Sequence, residues 1–216
     1  MTSYGPEALA AEFGLSREMT ERLEAYDLAL LDWSSRHNLI ARSTIEDRWS
    51  RHYRDCAQLY ALIPEGAKTL VDLGSGAGFP GLVLAAMGAD DGLKVTLVES
   101  IGKKAAFLSA AIEAMRLTNA RVLPERIESI TVSPPDVVTA RALAQLGKLL
   151  PYAHEIADEK TTLIFPKGQD VEAELTDAAK SWHMDVVKHP SVTSPGSTIL
   201  EIRHLKPKGR HTPAKN

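Results

Sequence analysis

Residues 70–81 of the chain read Leu70-Val71-Asp72-Leu73-Gly74-Ser75-Gly76-Ala77-Gly78-Phe79-Pro80-Gly81. An apolar run ends here in glycines at alternate positions. Glycine lets the backbone turn tightly and approach a ligand where a Cβ atom would not fit. The pattern predicts a buried strand, a ligand-binding loop and the start of a helix. A tight turn that binds nothing is the plainest alternative.

Two ligands are candidates for this loop. Gly76, Gly78 and Gly81 match the G-x-G-x-x-G pattern that cradles the pyrophosphate of NAD. In that register, however, the first glycine falls beyond the strand end, and Pro80 occupies the turn where helix amides should face the pyrophosphate. The carboxylate of Asp72 would repel a diphosphate but suits a ligand that carries an ammonium and a sulfonium group. The loop therefore favours S-adenosylmethionine over NAD, with Asp72 and Gly76 in the binding site.

After residue 66, β-branched runs alternate with amphipathic helical stretches. Strands are predicted at 69–73, 94–98, 120–123, 137–140, 161–165, 184–188 and 198–203, with helices at 81–87, 103–116, 144–158 and 171–182. Such alternation implies a mostly parallel sheet covered on both faces, and the last two strands form an antiparallel edge because no helix joins them. We expect an α/β fold of the class I (Rossmann-like) S-adenosylmethionine-dependent methyltransferases, with seven strands and an N-terminal helical extension.

Polar residues follow several predicted strands, at the edge where open parallel sheets bind ligands. Glu99 ends the second strand 25 residues after Gly74, and a carboxylate there can accept hydrogen bonds from ribose hydroxyls. Arg126-Ile127-Glu128 follows the third strand, where an adenine ring would lie. Arg141 follows the fourth strand, where a methyl donor would meet its acceptor, and Lys167 closes the fifth. Taken singly, each could be an ordinary loop residue, and Arg141 could pair with the glutamate at position 128.

Composition limits the classes of protein that the chain can belong to. It has 216 residues, a net charge of -3 and one cysteine. A single cysteine forms neither an internal disulfide nor a zinc cluster, so no metal is expected. Because the sequence shows no secretory signal and no apolar run long enough to cross a membrane, we expect a cytoplasmic protein. The sequence does not settle the oligomeric state, and a monomer is favoured.

Positive charge is concentrated in two short segments. Residues 36–54 hold five arginines against two acidic residues, and residues 204–216 hold four basic residues and no acid. Arginines interleaved with Trp49 and Tyr53 can hold phosphates and stack on unpaired bases, as in RNA-binding proteins. The first segment is therefore a candidate surface for RNA binding. An ordinary solvated helix face and, for 204–216, a disordered solubilising end are the alternatives.

These patterns divide the chain into three parts. Residues 1–65 form a helical extension that is a candidate for RNA binding, residues 66–205 form the methyltransferase domain, and residues 206–216 form a flexible basic tail. Within the extension, Ser16 is the predicted N-cap of a helix that carries Leu23, Tyr26 and Leu30 on one stripe. A second helix is predicted over residues 45–62.

Several motifs follow one another between about residue 20 and residue 203. They are Asn38-Leu39, Arg51-His52 with Asp55, residues 71–81, Glu99-Ser100, Lys103-Lys104, Phe107-Leu108, Arg126-Ile127-Glu128, Arg141-Ala142 and Lys167-Gly168. Together they resemble the RsmG family, also called GidB, of bacterial 16S rRNA guanine-N7 methyltransferases. The G-F-P-G end of the glycine loop and the Arg-Ala and Lys-Gly pairs distinguish that family from other methyltransferases.

The resemblance implies methylation of guanine 527, in standard numbering, at N7. The substrate would be 16S rRNA or a small ribosomal subunit particle. By resemblance the methyl donor contacts Gly74, Phe79, Ile127, Glu128 and Arg141, with Glu99 near its ribose. Candidates for RNA contact are Asn38, Arg51, His52 and Lys167. Ile40 and Cys56 stand where the family usually has threonine and serine, which bears on RNA contact more than on the donor site.

Other methylation chemistries fit the sequence less well. Methylation of pyrimidine carbon 5 needs a cysteine nucleophile, and Cys56 lies in the N-terminal helical part. Methylation of an exocyclic amine goes with an Asn/Asp-Pro-Pro-aromatic loop after the fourth strand, whereas Pro134-Pro135 precedes that strand. Guanine N7 carries no proton, so Arg141 is expected to position donor and base without transferring one. A small-molecule methyltransferase and an NAD- or nucleotide-binding protein are the alternative interpretations.

Overall fold

The computed structural model describes residues 4–209, which are built around a seven-stranded sheet. Its strands are β1 (Thr69–Leu73), β2 (Lys94–Val98), β3 (Ala120–Leu123), β4 (Val137–Thr139), β5 (Thr162–Lys167), β6 (Trp182–Pro190) and β7 (Thr198–Pro207). They lie in the order β3-β2-β1-β4-β5-β7-β6. The first five are parallel, and β7 is antiparallel to both β5 and β6.

Helices cover both faces of the sheet. They are α1 (Pro6–Phe13), α2 (Arg17–Ser34), α3 (Asp55–Ala57), α4 (Gly81–Met87), α5 (Gly102–Ala114), α6 (Leu146–Ile156) and α7 (Val171–Ala178). Leu70 of β1 packs into a core shared with α2, α4 and α5, whereas Val71 packs into a second core shared with α6 and α7. Successive strand residues point to opposite faces, so strands buried on both sides are largely apolar, with Asp72 as an exception in β1. The predicted α/β class is confirmed.

The carboxyl ends of the parallel strands meet at one edge of the sheet. Leu73 is in register with Val98 of β2, and Asp72 is in register with Thr139 of β4. The loops after β1, β2 and β4 therefore converge, as expected for an open α/β sheet. Glu99 and Arg141 both lie at this edge.

The N-terminal helical part differs from its prediction in two places. α1 forms where a loose end was expected, because Pro6 starts the helix and Gly14 closes it in the left-handed conformation. Residues 45–62 are not one helix: a π-helical turn at Trp49–Arg54 is followed by α3 and by a 3-10 turn at Gln58–Leu62. Wide turns of the π type often mark functional sites.

The C-terminal boundary also differs. β7 continues to Pro207, because Lys206 pairs with His183 and Pro207 with Trp182 of β6. Two residues of the predicted tail thus belong to the sheet, and α7 ends before 182 because β6 begins there. The basic residues Arg210 and Lys215 lie outside the described residues.

α2 joins the extension to the core of the sheet. Its predicted cap is confirmed, since the Met19 amide donates to the Ser16 hydroxyl over 3.1 Å. Tyr26 is fully buried against Phe79, with ring centroids 5.3 Å apart, and its hydroxyl donates to the carbonyl of Ala77 in the glycine loop. The extension therefore supports the loop directly. Within residues 4–209, none of the helices has the length and apolar character needed to cross a bilayer.

Candidate active site

The glycine loop after β1 holds a shape that side chains would prevent. Gly78 has φ +94, and a Cβ atom there would lie 2.5 Å from Leu82 Cδ1 and 2.9 Å from the Tyr26 hydroxyl. At Gly76, with φ +57, a Cβ atom would meet only the Gly74 carbonyl oxygen, at 3.7 Å. The loop is therefore packed from below at Gly78 and open at Gly76, which leaves backbone accessible to a ligand.

Glu99 connects this loop to the tip of β2. One carboxylate oxygen accepts the Gly76 amide over 2.9 Å, and the other accepts the Ile101 amide over 2.8 Å. The side chain is only 5% exposed. Since each carboxylate oxygen has two lone pairs, both retain a site for a further donor such as a ribose hydroxyl. Sequence spacing predicted the carboxylate but not its bond to the glycine loop.

Asp72 lies beneath the loop with no exposed surface. Its Oδ1 accepts the Thr139 hydroxyl over 2.8 Å, while Oδ2 has no hydrogen-bond partner among the described residues. Burial raises the pKa of this carboxyl to about 6, and the hydrogen bond from Thr139 opposes part of that rise. Its expected contact with the donor stays a prediction. In this conformation Asp72 is buried, so the loop backbone would lie between its carboxylate and a cation bound above the loop.

Asp72→Asn is expected to stabilise the fold near neutral pH. The folded pKa of about 6 exceeds the ordinary 3.8, so the folded state holds the proton more tightly and loses stability as pH rises through about 6. The difference between these two pKa values corresponds to about 3 kcal/mol in the free energy of unfolding. Asparagine can still accept from Thr139 and removes the buried charge. Urea unfolding at about pH 8 should show a gain up to that size, and at about pH 5 a smaller one. An equal change at both pH values would contradict this origin.

Arg141, directly after β4, is held from several sides. Its Nη1 donates to Asp55 Oδ2 over 2.9 Å, and Nη2 donates to His52 Nδ1 over 2.7 Å. The guanidinium carbon lies 5.3 Å from the centroid of the Phe79 ring. The side chain is 17% exposed and that of Asp55 is 22% exposed. The ion pair thus fixes the orientation of the guanidinium at the rim of the site, and the alternative pairing with Glu128 does not form.

His52 and Phe79 form the wall beside this arginine. Their rings stack with centroids 5.0 Å apart, and Phe79 is only 6% exposed. Burial and the charges of Arg141 and Arg51 lower the pKa of His52 to about 4. Neutral His52 accepts from Arg141 at Nδ1 and can donate from Nε2 to the Thr44 hydroxyl, 2.9 Å away. Phe79 also packs against Tyr26 and Tyr53, and its expected contact with the donor stays a prediction.

Cys56 lies next to Arg141 in space, although it is distant in sequence. Its Sγ is 3.5 Å from Nη1 of the arginine, and the residue is fully buried. Burial raises the pKa of the thiol well above its usual range. Cys56 was expected to lie away from the site because it belongs to the N-terminal helical part, and this expectation is wrong. A buried, protonated thiol is still a poor nucleophile, so the exclusion of cysteine chemistry now rests on burial.

Ile127 and Glu128 form a 3-10 turn after β3, at Ile127–Ser129. The Glu128 side chain is 49% exposed, lies 3.7 Å from Arg126 and accepts the Tyr152 hydroxyl over 3.1 Å. Ile127 is partly buried against the core on the α6 side. Both residues lie near the tip of β3, where they could contact a bound donor, and that contact stays a prediction.

A cavity of about 460 Å³ opens beside Arg141 on the side of the N-terminal helices. We call it the acceptor cavity. It is lined by Thr44, Arg51, His52, Asp55, Arg141, Ala142, Pro166, Lys167, Gly168, Ser191, Thr193, Ser194, Ser197, Thr198 and Ile199. Three of the four predicted RNA residues therefore line one cavity. The fourth, Asn38, is exposed in the segment after α2 and is not among the lining residues.

Lys167 is less available for RNA than its sequence position suggested. Its side chain is 8% exposed, and Nζ lies 2.8 Å from Glu174 Oε2 and 2.9 Å from the Ala144 carbonyl oxygen. Arg51, in contrast, is exposed, and no acidic group lies within 4.0 Å of it among residues 4–209. Of these two cations, Arg51 is the one free to meet a phosphate.

Acidic residues elsewhere in the chain neutralise much of the basic segment 36–54. Arg36 pairs with Asp32, Arg48 pairs with Asp27 at 2.6 Å, and Arg54 pairs with Glu12 at 2.8 Å. Trp49 and Tyr53 are 6% and 0% exposed and belong to the core, so neither is open to an RNA base. The expected stacking of these two rings on RNA is therefore wrong, because the π turn directs them inward.

The loop that joins β6 to β7, residues 191–197, lies at the site although its sequence did not predict this. It supplies several hydroxyl groups to the acceptor cavity, and Thr193 donates to Asp55 Oδ1 over 2.6 Å. The available signal was weak: the segment Ser191-Val192-Thr193-Ser194-Pro195-Gly196-Ser197 reads as an ordinary turn. Its position beside Arg141 depends on the antiparallel edge of the sheet.

The residues at the sheet edge fit an adenosine ligand that carries a cation. Gly76 leaves the backbone open, Glu99 retains lone pairs for hydroxyl donors, and the unpartnered Asp72 oxygen contributes negative charge below the loop. Ile101, 51% exposed after β2, offers apolar surface beside Glu99. These are the features that S-adenosylmethionine requires of a site.

The strand order, the glycine loop after β1 and the carboxylate at the tip of β2 define a class I S-adenosylmethionine-dependent methyltransferase. A solved S-adenosylmethionine-dependent methyltransferase from Aquifex aeolicus has the same fold, with a TM-score of 0.59 at 16% identity over 82% of this chain and 98% of that one.

The family model for rRNA small subunit methyltransferase G matches residues 19–205. The ribosomal RNA small subunit methyltransferase G of Rhodospirillum centenum is 48% identical over 92% of this chain and 90% of the relative. That of Paramagnetospirillum magneticum is 47% identical over 97% and 100%. The chain therefore belongs to the rRNA small subunit methyltransferase G family, which confirms the resemblance and the donor and sets aside the NAD-binding and small-molecule interpretations.

Proposed function

We propose that the protein transfers the methyl group of S-adenosylmethionine to N7 of a guanine in 16S rRNA, guanine 527 by family expectation. One observation supports N7 in particular. His52 and Cys56, which lie beside Arg141, are poorly suited to accept a proton from a substrate near neutral pH: the pKa of His52 is lowered to about 4, and the Cys56 thiol is buried with a raised pKa. General bases work best when their pKa lies near the working pH. An acceptor atom that carries no proton needs no such base.

The bound donor supplies an electrophilic methyl group on a sulfonium. Gly74 and Gly76 would hold it along the loop backbone, Glu99 would accept hydrogen bonds from its ribose hydroxyls, and Ile127 and Glu128 would lie beside its adenine ring. Asp72 adds negative charge beneath the loop, which favours a cationic ligand. Arg141, fixed by Asp55 and His52, orients donor and guanine, and no proton is moved. Orientation of two reactants can contribute about 7–11 kcal/mol to a barrier reduction.

The substrate that this proposal requires is 16S rRNA, alone or in a small ribosomal subunit particle. The protein would meet it in the cytoplasm, and a single copy of the chain is sufficient for the site described. The positively charged groups that support RNA contact are Arg42 and Arg51, both exposed. His52 and Asn38 are the further candidates beside them.

Mapping of modified guanines in small-subunit rRNA tests the function. In a strain that lacks the gene, 16S rRNA is expected to lose one N7-methylguanine, and purified protein with S-adenosylmethionine should restore it in vitro. Borohydride–aniline cleavage locates N7-methylguanine at nucleotide resolution. Loss of a different modified base, or an unchanged cleavage pattern, would refute the N7 assignment while leaving the family membership intact.

Arg51→Glu is expected to weaken rRNA binding with little effect on the donor. The substitution replaces an exposed cation at the cavity mouth with an anion, and loss of a phosphate contact lowers RNA affinity by about tenfold or more at low salt. Filter binding measures RNA affinity, and calorimetry measures S-adenosylmethionine affinity. Arg17→Glu is the matched control, since Arg17 is exposed on α2 and outside the cavity. An equal loss of both affinities would point to misfolding.

A further inference from the structure

The loop between β6 and β7 is fastened to the N-terminal helical part through its backbone. The Val192 amide donates to Gln58 Oε1 over 2.9 Å, and the Val192 carbonyl accepts Arg54 Nη1 over 3.0 Å. Gln58 is itself 9% exposed, and Glu12 of α1 pairs with Arg54. Both polar groups of one loop residue are thus held by groups more than a hundred residues away in sequence. The neighbouring residue, Thr193, is carried to a defined place.

Thr193 completes the hydrogen bonds of the Asp55 carboxylate. Its hydroxyl donates to Oδ1 over 2.6 Å, and Gln58 Nε2 donates to the same oxygen over 3.1 Å. The other oxygen, Oδ2, accepts Arg141 over 2.9 Å. One side of the carboxylate therefore belongs to the loop and the other to the guanidinium.

This division decides how Arg141 pairs. A free carboxylate can take both ends of a guanidinium fork in a bidentate pair. With Oδ1 occupied by Thr193 and Gln58, Asp55 takes Nη1 alone, and Nη2 is left for His52. The plane of the guanidinium above Phe79 follows from these two separate bonds. A hydroxyl on the β6–β7 loop thereby controls the geometry of a residue that follows β4.

We propose that Thr193 is a positioning residue for Arg141 and acts through Asp55. The inference rests on the proposed methyl transfer to rRNA, in which a fixed guanidinium orients donor and guanine. Thr193 moves no proton and need not touch the reacting atoms. Its removal leaves the glycine loop and Glu99 intact, because neither contacts the hydroxyl. The predicted defect is in turnover and not in donor binding.

Thr193→Val tests the proposal because valine keeps the branched shape and lacks the hydroxyl. Single-turnover methylation of unmodified small-subunit rRNA should slow about tenfold, the size expected for a hydrogen bond to a charged group. The S-adenosylmethionine dissociation constant should stay unchanged, and the melting temperature should fall by only about 2–4 °C, so that the variant is folded in the assay. Thr193→Ser, which retains the hydroxyl, should restore most of the rate. Thr176→Val is the matched control, since the Thr176 hydroxyl bonds only to a carbonyl within α7.

A double-mutant comparison separates action through Asp55 from an independent effect. Asp55→Asn should slow methylation about a hundredfold, and Asp55→Asn with Thr193→Val should be no slower than Asp55→Asn alone. Additive losses, a wild-type rate for Thr193→Val, or an increase in the KM for RNA with unchanged kcat would overturn the proposal. If the wild-type protein forms no N7-methylguanine, the proposed function fails instead. Methylation of another atom with the same dependence on Thr193 would leave the positioning role standing.

Discussion

Arg141→Lys is expected to slow rRNA methylation about a hundredfold. Lysine keeps the positive charge but lacks the planar guanidinium. Its flexible ammonium cannot reproduce the fixed fork that donates to Asp55 and His52 while lying over the Phe79 ring. The side chain at position 141 would then no longer orient the donor and the guanine relative to each other. The rate of methyl incorporation from labelled S-adenosylmethionine into unmodified small-subunit rRNA measures the loss.

Two controls accompany this substitution. Arg203→Lys changes an exposed arginine of β7, 51% accessible and paired with Glu201, and should leave the rate unchanged. Calorimetry with S-adenosylmethionine separates a lost donor contact from a loss of orientation. Full methylation by Arg141→Lys would show that charge alone suffices and would remove the guanidinium geometry from the proposal.

Gly81→Ala is expected to have the largest effect on stability. A Cβ atom at Gly81 would lie 2.2 Å from Leu97 Cδ2 and 2.8 Å from Asp72 Oδ2. Both neighbours are buried strand residues, so relief requires movement of α4 away from the sheet. We expect the free energy of unfolding to fall by about 2–4 kcal/mol, with weaker binding of S-adenosylmethionine because Asp72 and the loop are displaced.

Gly102→Ala is the matched control for this change. Gly102 also begins a helix after a strand, α5 after β2, and a Cβ atom there would meet nothing within 4 Å. Alanine is the better helix former, so the free energy of unfolding should rise or change by less than about 1 kcal/mol. Urea unfolding of both variants provides the comparison. A small effect at Gly81 would mean that α4 and the strands beneath it can move apart at little cost, contrary to the close packing described.

The meeting of the glycine loop and Glu99 at the sheet edge could be predicted from sequence because its determinants are local. The glycine loop sits within a dozen residues, and Glu99 follows at the spacing that a β-α-β unit imposes. Parallel strand order then brings the two together without further information. Even here the bond from Glu99 to the Gly76 amide was not readable, since it depends on the loop conformation.

The acceptor half could not be predicted because its partners are far apart in the chain. Arg141 meets Asp55 across 86 positions, and Thr193 meets Asp55 across 138. The charge pattern of residues 36–54 misled for the same reason. Glu12 neutralises Arg54, which follows it by 42 positions, and Asp27 neutralises Arg48, which follows it by 21 positions. A count of charges within a window cannot see such pairs. The burial of Trp49 and Tyr53 could not be predicted for a different reason: a π turn changes which face of a helix is buried.

The core that contains Tyr26 also contains Leu30, Tyr53, Leu70 and Leu97, so the helices before residue 65 and the first strands form a single folding unit. A chain cut between residues 65 and 66 would expose the apolar face of the sheet that these helices cover, and an exposed face of that kind promotes aggregation. No boundary divides the core at that point: the N-terminal helices, through Tyr26, are also the scaffold on which the glycine loop rests.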